Sequence, residues 1–365
     1  MNFGFTEEQE LLRDQVRRFL EQHASSEQVR VLAGTERGFS DEHWQQMADL
    51  GWLGLVIHSD FDGVGLGWVD LVVVLEEMGR RLFPSPFIPH TLAASAIAEF
   101  GNDAQKKSLL PAMARGEKIA TVALFDVDDI PTVDHVTLET SGGTLAGKKP
   151  FVPEAGAADI FLVAFRDGNE LKLAVIDRTT AGVEISTSAT MDTTKRTGTL
   201  ILDNVDIGGD AVMPLGEDGL ERLLDEGAVA ITAEMIGAAE AIATMTTDYA
   251  KERIQFDHPI GKYQGVKHRL AEMYVDIESF KSLLYYAAWT VAEAPGNSHD
   301  PPHSPRRTPR MPSHRSVSTV SSCTARSALR PSTMPSSILE RSKWARPMFG
   351  DADFHYERVA RIGNY

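Results

Sequence analysis

Cysteine is almost absent from this chain: Cys323 is the only one among 365 residues. An internal disulfide framework and a cysteine-built metal site are thereby excluded, no metal is expected, and a reducing, cytoplasmic setting suits the chain. Positive charge is also short, with 36 Lys and Arg against 52 Asp and Glu, a net charge of −16. Nucleic acid is not an expected partner, because phosphate binding needs a concentrated basic face. No uninterrupted apolar run reaches the roughly 20 residues that span a bilayer, so no membrane span is expected. The start, Met1 to Phe5, runs straight into Thr6-Glu7-Glu8-Gln9 without a basic and apolar export signal. A last deficit is local: residues 301–340 have no Lys, Phe, Tyr or Trp, yet hold 7 of the 18 prolines, 10 serines and 6 arginines. That window reads as low-complexity sequence set inside an otherwise ordered chain.

The rest divides by periodicity into three parts, as a chain of this length should. Thr6 caps a helix carrying Leu11, Leu12, Val16, Phe19 and Leu20 at helical spacing. A second helix follows Ser40. Glycines at 63, 65 and 67 mark a loop, Val69 to Met78 resumes helix with a chain reversal at Gly79, and two short helices follow Pro84 and Pro86. Residues 1–117 are thus expected to be helical, with Glu76 and Glu77 read by themselves as a solvated helix face. From Ile119 the period falls towards two. Strands are expected at 119–125, 135–138, 160–165, 171–176 and 199–205, with turns at Gly142-Gly143 and Asp167-Gly168-Asn169, giving an antiparallel β domain over 118–210. Residues 211–365 return to helix, with apolar series over 223–242 and 256–280, apart from the 301–340 window. The fold class is α+β: helical domain, antiparallel β domain, helical bundle.

Five segments in this order resemble the acyl-CoA dehydrogenases. They are Phe5-Thr6-Glu7-Glu8-Gln9; Leu50-Gly51-Trp52-Leu53-Gly54-Leu55 with Gly63-Val64-Gly65-Leu66-Gly67; Leu75-Glu76-Glu77-Met78-Gly79-Arg80; Leu145-Ala146-Gly147-Lys148-Lys149 with Ala157-Ala158-Asp159; and Arg253 to Gln264. The last is similar to the family's Arg-x-x-Phe-Gly-x-x-Ile-x-x-x-Gln signature, with Asp257 in place of the glycine. The resemblance implies FAD held across a subunit interface, with Arg253 on the pyrophosphate, Phe256 against an aromatic ring and Gln264 hydrogen-bonding at the far end. Core packing for Phe256 and a surface ion pair for Arg253 are the alternatives. In the β domain, Ala123 to Ile130 lacks the Thr or Ser that the family offers to the flavin, and Asp159 is expected to order a turn.

The activity implied is removal of an acyl-CoA α-proton while the β-hydride passes to flavin, forming the trans-2-enoyl-CoA, with an electron-transfer flavoprotein as acceptor. Such a proton needs a carboxylate base in a dry pocket and hydrogen bonds on the thioester oxygen. Counted back from Arg358, the family's usual glutamate falls at Asp351, one methylene shorter; a helix cap is the alternative role for Asp351. Members that carry the base on an earlier helix would have it at Gly227, where no carboxylate stands, and the neighbouring Glu226 points about 100° away. The divergent signature is similar to that of bacterial members built from two unlike subunits. A homo-oligomer or a second acyl-CoA dehydrogenase subunit is the expected partner, and an impaired or non-catalytic subunit is the alternative function. The window at 301–340 replaces a helical hairpin and matches it in length, which points to a compensated frameshift.

Overall fold

The computed structural model describes residues 5–126, 132–292, 334–350, 353–355 and 357–358. Its amino-terminal part is helical: α1 (Glu7–His23), α2 (Ser26–Ala33), α3 (Asp41–Asp49), α4 (Trp68–Arg81), α5 (Phe87–Phe100) and α6 (Asp103–Ala114). The Thr6 hydroxyl accepts from the Gln9 amide while the Gln9 side chain returns to the Thr6 amide, a complete capping box at the start of α1. Ser25 and Gln28 repeat the device on α2, a helix the apolar pattern does not announce because Val29 is its single buried residue.

Gly79 is not where the chain reverses. It lies inside α4, and the reversal comes at Leu82, whose φ is +52°. The glycine serves a close helix crossing instead: a Cβ at Gly79 would stand 1.9 Å from the Glu234 carbonyl oxygen, and one at Gly237 1.8 Å from that of Glu76. Glu76 and Glu77 correct the expectation of a solvated face, since both are buried. Arg17 Nη2 lies 2.9 Å and Arg80 Nε 3.2 Å from the Glu77 carboxylate. The Tyr285 hydroxyl donates to Glu76 over 2.9 Å. Burial pushes the Glu76 carboxyl up to about 7, against the pull of Lys281. Cations from other helices cover a face that local pattern reads as wet.

Two four-stranded sheets follow. One has the order β1-β4-β5-β8, formed by Ala120–Ala123, Ile160–Asp167, Glu170–Asp177 and Val212–Pro214. The other has the order β2-β3-β7-β6, formed by Thr140–Ser141, Thr144–Pro153, Thr197–Asp206 and Val183–Ser188. Pairing is antiparallel except between β1 and β4, which run parallel. Gly168, at φ +60°, and Asn169 form the two-residue turn between β4 and β5. The strand expected at 135–138 is absent; Val133–His135 is a 3₁₀ turn. Its carbonyls are satisfied by a side chain instead, for the Arg166 guanidinium donates to the Val133 and Val136 oxygens at 2.7 Å each. Phe161, Phe165, Leu200 and Val205 belong to the core between the sheets.

Helices that follow include α7 (Gly216–Glu252), α8 (Gln264–Ala292) and α9 (Met334–Ala345), with a two-stranded hairpin, β9 (Ile254–Gln255) and β10 (His258–Pro259), between α7 and α8. By length and composition α7 could cross a membrane, but 72% of its apolar stretch is buried inside the protein. It is the central helix of the core, packed on α4, α5 and α8. Helix α9 begins inside the window expected to be low-complexity, and Ile338 and Arg341 on it are wholly buried.

Candidate functional site

Arg253, Phe256 and Gln264 are brought together on the connection between α7 and α8. Arg253 caps α7, its amide donating to the Tyr249 oxygen over 2.8 Å and its oxygen accepting from Ile260 over 2.8 Å. Phe256 and Asp257 form the tip of the hairpin at φ +52° and +62°. The left-handed backbone explains why the family signature has glycine at position 257, and aspartate is among the few side chains that tolerate it. Phe256 is 87% exposed, with the Tyr263 ring edge-on at 6.4 Å, so the core-packing alternative is excluded. Arg253 and Gln264 are exposed as well, and Arg253 has no ion pair among the described residues. A guanidinium fork, an exposed aromatic ring and a carboxamide on one rim suit a dinucleotide, whose pyrophosphate and rings need those partners.

None of the three lines the cavity at the junction of the sheets and the helical core. That cavity is walled by Ile88 and Pro89 of α5, Pro153 and Glu154 at the end of β3, Ile231 of α7, Trp344 of α9 and Phe349, with only about 10 Å³ of free space. Asp351 lies outside the described residues, but the turn before it is defined. Phe349 and Gly350 both have positive φ, +58° and +103°. A ring nitrogen of buried His355, Nε2, lies 3.0 Å from the Phe349 oxygen; because a carbonyl only accepts, Nε2 carries the proton. Burial pushes His355 down to about 3, so the ring is neutral.

On α7, a Cβ at Gly227 would stand 2.5 Å from the Phe349 ring, so the position that carries the base in some members is filled by an aromatic side chain. Glu226 is wholly buried and faces elsewhere, accepting from Arg222 Nε over 3.1 Å. Burial pushes its carboxyl up to about 7, opposed by Arg222 and by a hydrogen bond from Ser95 of α5. Asp159 departs from the turn-ordering role expected of it: its side chain accepts from the Ile119 amide over 2.8 Å, tying the start of β4 to the start of β1, 40 residues away. Asp126 is turned inward, where it pairs with buried Lys149 and accepts from the amides of Thr137 and Leu138. The segment 127–131 lies outside the described residues.

Sequence reasoning missed a buried polar cluster beside the cavity. Arg341 pairs with Asp192 and, at 2.9 Å, with Glu234; Lys195 Nζ lies 2.8 Å from Glu234. Glu154 accepts from the Arg196 amide over 3.0 Å, and burial pushes it up to about 7. One signal was present in the sequence: Glu234 interrupts the apolar run from Ala228 to Met235, and an acid there implies a cation from another element.

Comparison with known proteins agrees with this architecture. The profile "Acyl-CoA dehydrogenase, N-terminal domain" matches residues 6–117, and "Acyl-CoA dehydrogenase, C-terminal domain" matches residues 217–303. The acyl-CoA dehydrogenase IpdE2 of Mycolicibacterium smegmatis is 34% identical over 281 residues, covering 77% of this chain and 76% of the relative. The ChsE4-ChsE5 complex of Mycobacterium tuberculosis is similar in structure, with a TM-score of 0.85 and 25% identity over 100% of this chain and 99% of that one. Butyryl-CoA dehydrogenase of Megasphaera elsdenii shares the fold, with a TM-score of 0.87 at 20% identity over the whole of both chains. With helical, β and helical parts in the same order and the hairpin signature in place, this chain belongs to the acyl-CoA dehydrogenase family of FAD-dependent oxidoreductases.

Proposed function

We propose that this chain is a subunit of an enzyme that converts an acyl-CoA thioester to the trans-2-enoyl-CoA and delivers the electrons to an electron-transfer flavoprotein. The observation that carries the reading is the hairpin rim, where Phe256 stands 87% exposed between Arg253 and Gln264. When bound, FAD supplies the acceptor for the hydride that leaves the β-carbon. The chain's own contribution there is binding: Arg253 offers a fork of donors to pyrophosphate oxygens, Phe256 a face to an aromatic ring, and Gln264 a hydrogen bond. Because all three side chains face outward, they serve a cofactor held between this chain and a neighbouring subunit. A second acyl-CoA dehydrogenase-type chain is the neighbour favoured over a copy of this one, in keeping with the likeness to a complex of two differently named chains. Asp351 is the base assigned to the α-proton.

Titration of the purified chain with FAD, alone and with a candidate second subunit, tests the reading. Flavin uptake followed by bleaching of its visible absorbance on addition of acyl-CoA is expected. A preparation that takes up no flavin under either condition would refute it.

An impaired or non-catalytic subunit is the second reading. The inward turn of Asp126, tied to Lys149 and to the Leu138 amide, favours it, because that side chain offers nothing to a cofactor. Flavin taken up in the assembled pair and reduced with full rate when Asp351 is replaced by Asn would select this reading.

A further inference from the structure

His90 is wholly buried where the helical part meets the sheets, and the activity gives it no task. It lies near the start of α5, directly after Ile88 and Pro89, which wall the cavity at that junction. Its Nδ1 accepts from the amide of Ala120, the first residue of β1, over 3.4 Å. The next residue of β1, Thr121, donates its hydroxyl to the Pro153 oxygen over 2.6 Å, and Pro153 belongs to the same cavity wall. The ring therefore clips β1 to α5 beside the cavity. The Trp44 ring of α3 stands at right angles to it with centroids 5.0 Å apart, held by a 3.2 Å bond from the indole nitrogen to the Gly116 oxygen. Because Nδ1 accepts, the proton of the neutral ring is on Nε2, which is buried without a hydrogen-bond partner. A second proton has to enter at Nδ1, where it turns the acceptor into a donor facing the Ala120 N–H and leaves a buried cation unpaired.

We propose that His90 is a pH-sensitive latch, which as a neutral ring closes the joint between α5 and β1 and on uptake of a proton releases that joint and the cavity wall attached to it. Charged groups on the elements packed around the ring are engaged elsewhere. On α3, Asp41 pairs with Arg37, Glu42 accepts from Gln46 and Asp49 accepts from Gln45. After α6, Arg115 pairs with Asp62 and Glu117, and ahead of β1 Lys118 lies 3.5 Å from Asp177. Among the described residues no charge acts on the ring: burial pushes it down to about 3, opposed by the Met113 carbonyl of α6. With the freed ring titrating at 6.5, the contribution of His90 to the closed joint is fully present above pH 6.5 and is lost as pH falls from there towards 3. The buried carboxyls of Glu76, Glu154 and Glu226, each pushed up to about 7, act with the opposite sign and gain stability as pH falls. Release of the joint by acid therefore cannot come from them.

Hydrogen exchange of the full chain, read by mass spectrometry at about pH 8 and about pH 5 and corrected for intrinsic rates, tests the latch in peptides covering α5 and β1. The opening that frees His90 should become roughly 30-fold more favourable at the lower pH, because the freed ring takes up a proton at 6.5 and the buried one does not. His90→Gln, whose side-chain oxygen can still accept from Ala120 but which takes up no proton, should exchange like wild type at the higher pH and lose the rise. His90→Phe keeps the volume of the ring, guards against a variant that fails to fold, and should likewise show no rise. His43 of α3, pushed down by burial and by His23, is the other titrating imidazole next to Trp44. His43→Gln should leave the rise in α5 and β1 in place. Equal corrected exchange of wild type at both pH values would overturn the latch. A rise that survives in His90→Gln or His90→Phe, or one that disappears in His43→Gln, would overturn it as well, by assigning the proton to another group.

Discussion

Adding one methyl group at Gly237 should drive α4 and α7 apart. The two helices cross where Gly237 faces the Glu76 carbonyl and Gly79 faces that of Glu234, and a Cβ at Gly237 would lie 1.8 Å from the Glu76 oxygen. An ordinary carbon-to-oxygen approach is about 3.3 Å or more, so the backbones must separate by about 1.5 Å at this point. The opposing atom belongs to helix backbone, which cannot rotate away as a side chain could. Leu75, Met78, Ala233 and Ile236 are buried around the crossing and would lose packing as it opens. Overpacking of a closed interface costs about 1–3 kcal/mol, and the upper end applies where neither side can yield. For a chain of this length, about 2 °C of melting temperature accompanies each kcal/mol, which gives a fall of roughly 6 °C for Gly237→Ala. Thermal unfolding followed by far-ultraviolet circular dichroism measures it. Gly265→Ala is the control: that glycine lies in α8 with nothing within 4 Å of an added Cβ, and alanine there should leave the midpoint unchanged or raise it. If Gly237→Ala melted within about 2 °C of wild type, the close crossing would not exist in solution.

Glu226→Gln should stabilise the protein in a pH-dependent way. The folded carboxyl titrates near 7 against 4.5 for the ordinary group, so this residue's contribution to stability is fully present below about pH 4.5 and is lost as pH rises through 7. The variant should match wild type at acid pH and exceed it by up to about 3 kcal/mol above pH 7; an equal difference at both extremes in urea titrations would refute the burial argument. Arg253→Leu should weaken FAD binding by roughly 10- to 150-fold in a fluorescence titration, the loss of a charge-assisted contact of about 1.5–3 kcal/mol, while unchanged affinity would return Arg253 to a surface role. Asp351→Asn should slow flavin reduction by acyl-CoA at least ~100-fold in stopped-flow traces without weakening flavin binding, and superimposable traces would remove Asp351 as base.

Short-range features of this protein were legible in its sequence because their partners lie within a few residues. Thr6 and Gln9 complete each other's hydrogen bonds inside one turn. Gly168 and Asn169 turn the chain between two strands by their own backbone preference. Arg253, Phe256 and Gln264 share a connection so short that their grouping needed no long-range information. The apolar period likewise separated helical from β regions, since it reflects burial of one side of a single element.

What escaped that reading was decided by elements distant along the chain. Glu76 and Glu77 look like a wet helix face until Arg13 and Arg17 from α1 and Lys281 and Tyr285 from α8 close over them. Gly79 looks like a turn until α7 is laid across it, and Gly227 looks like a missing base until Phe349 fills the space. Arg341 bonds Asp192 and Glu234 across 149 and 107 positions of sequence, and no local pattern ties those residues together. Sequence by itself determined the kinds of element, their order and the family signature, because propensity and periodicity are properties of neighbouring residues. Tertiary structure alone decided which charges are buried, which glycines are contacts and how the cavity is closed, because a buried charge or a close approach is set by which remote surface arrives to cover it.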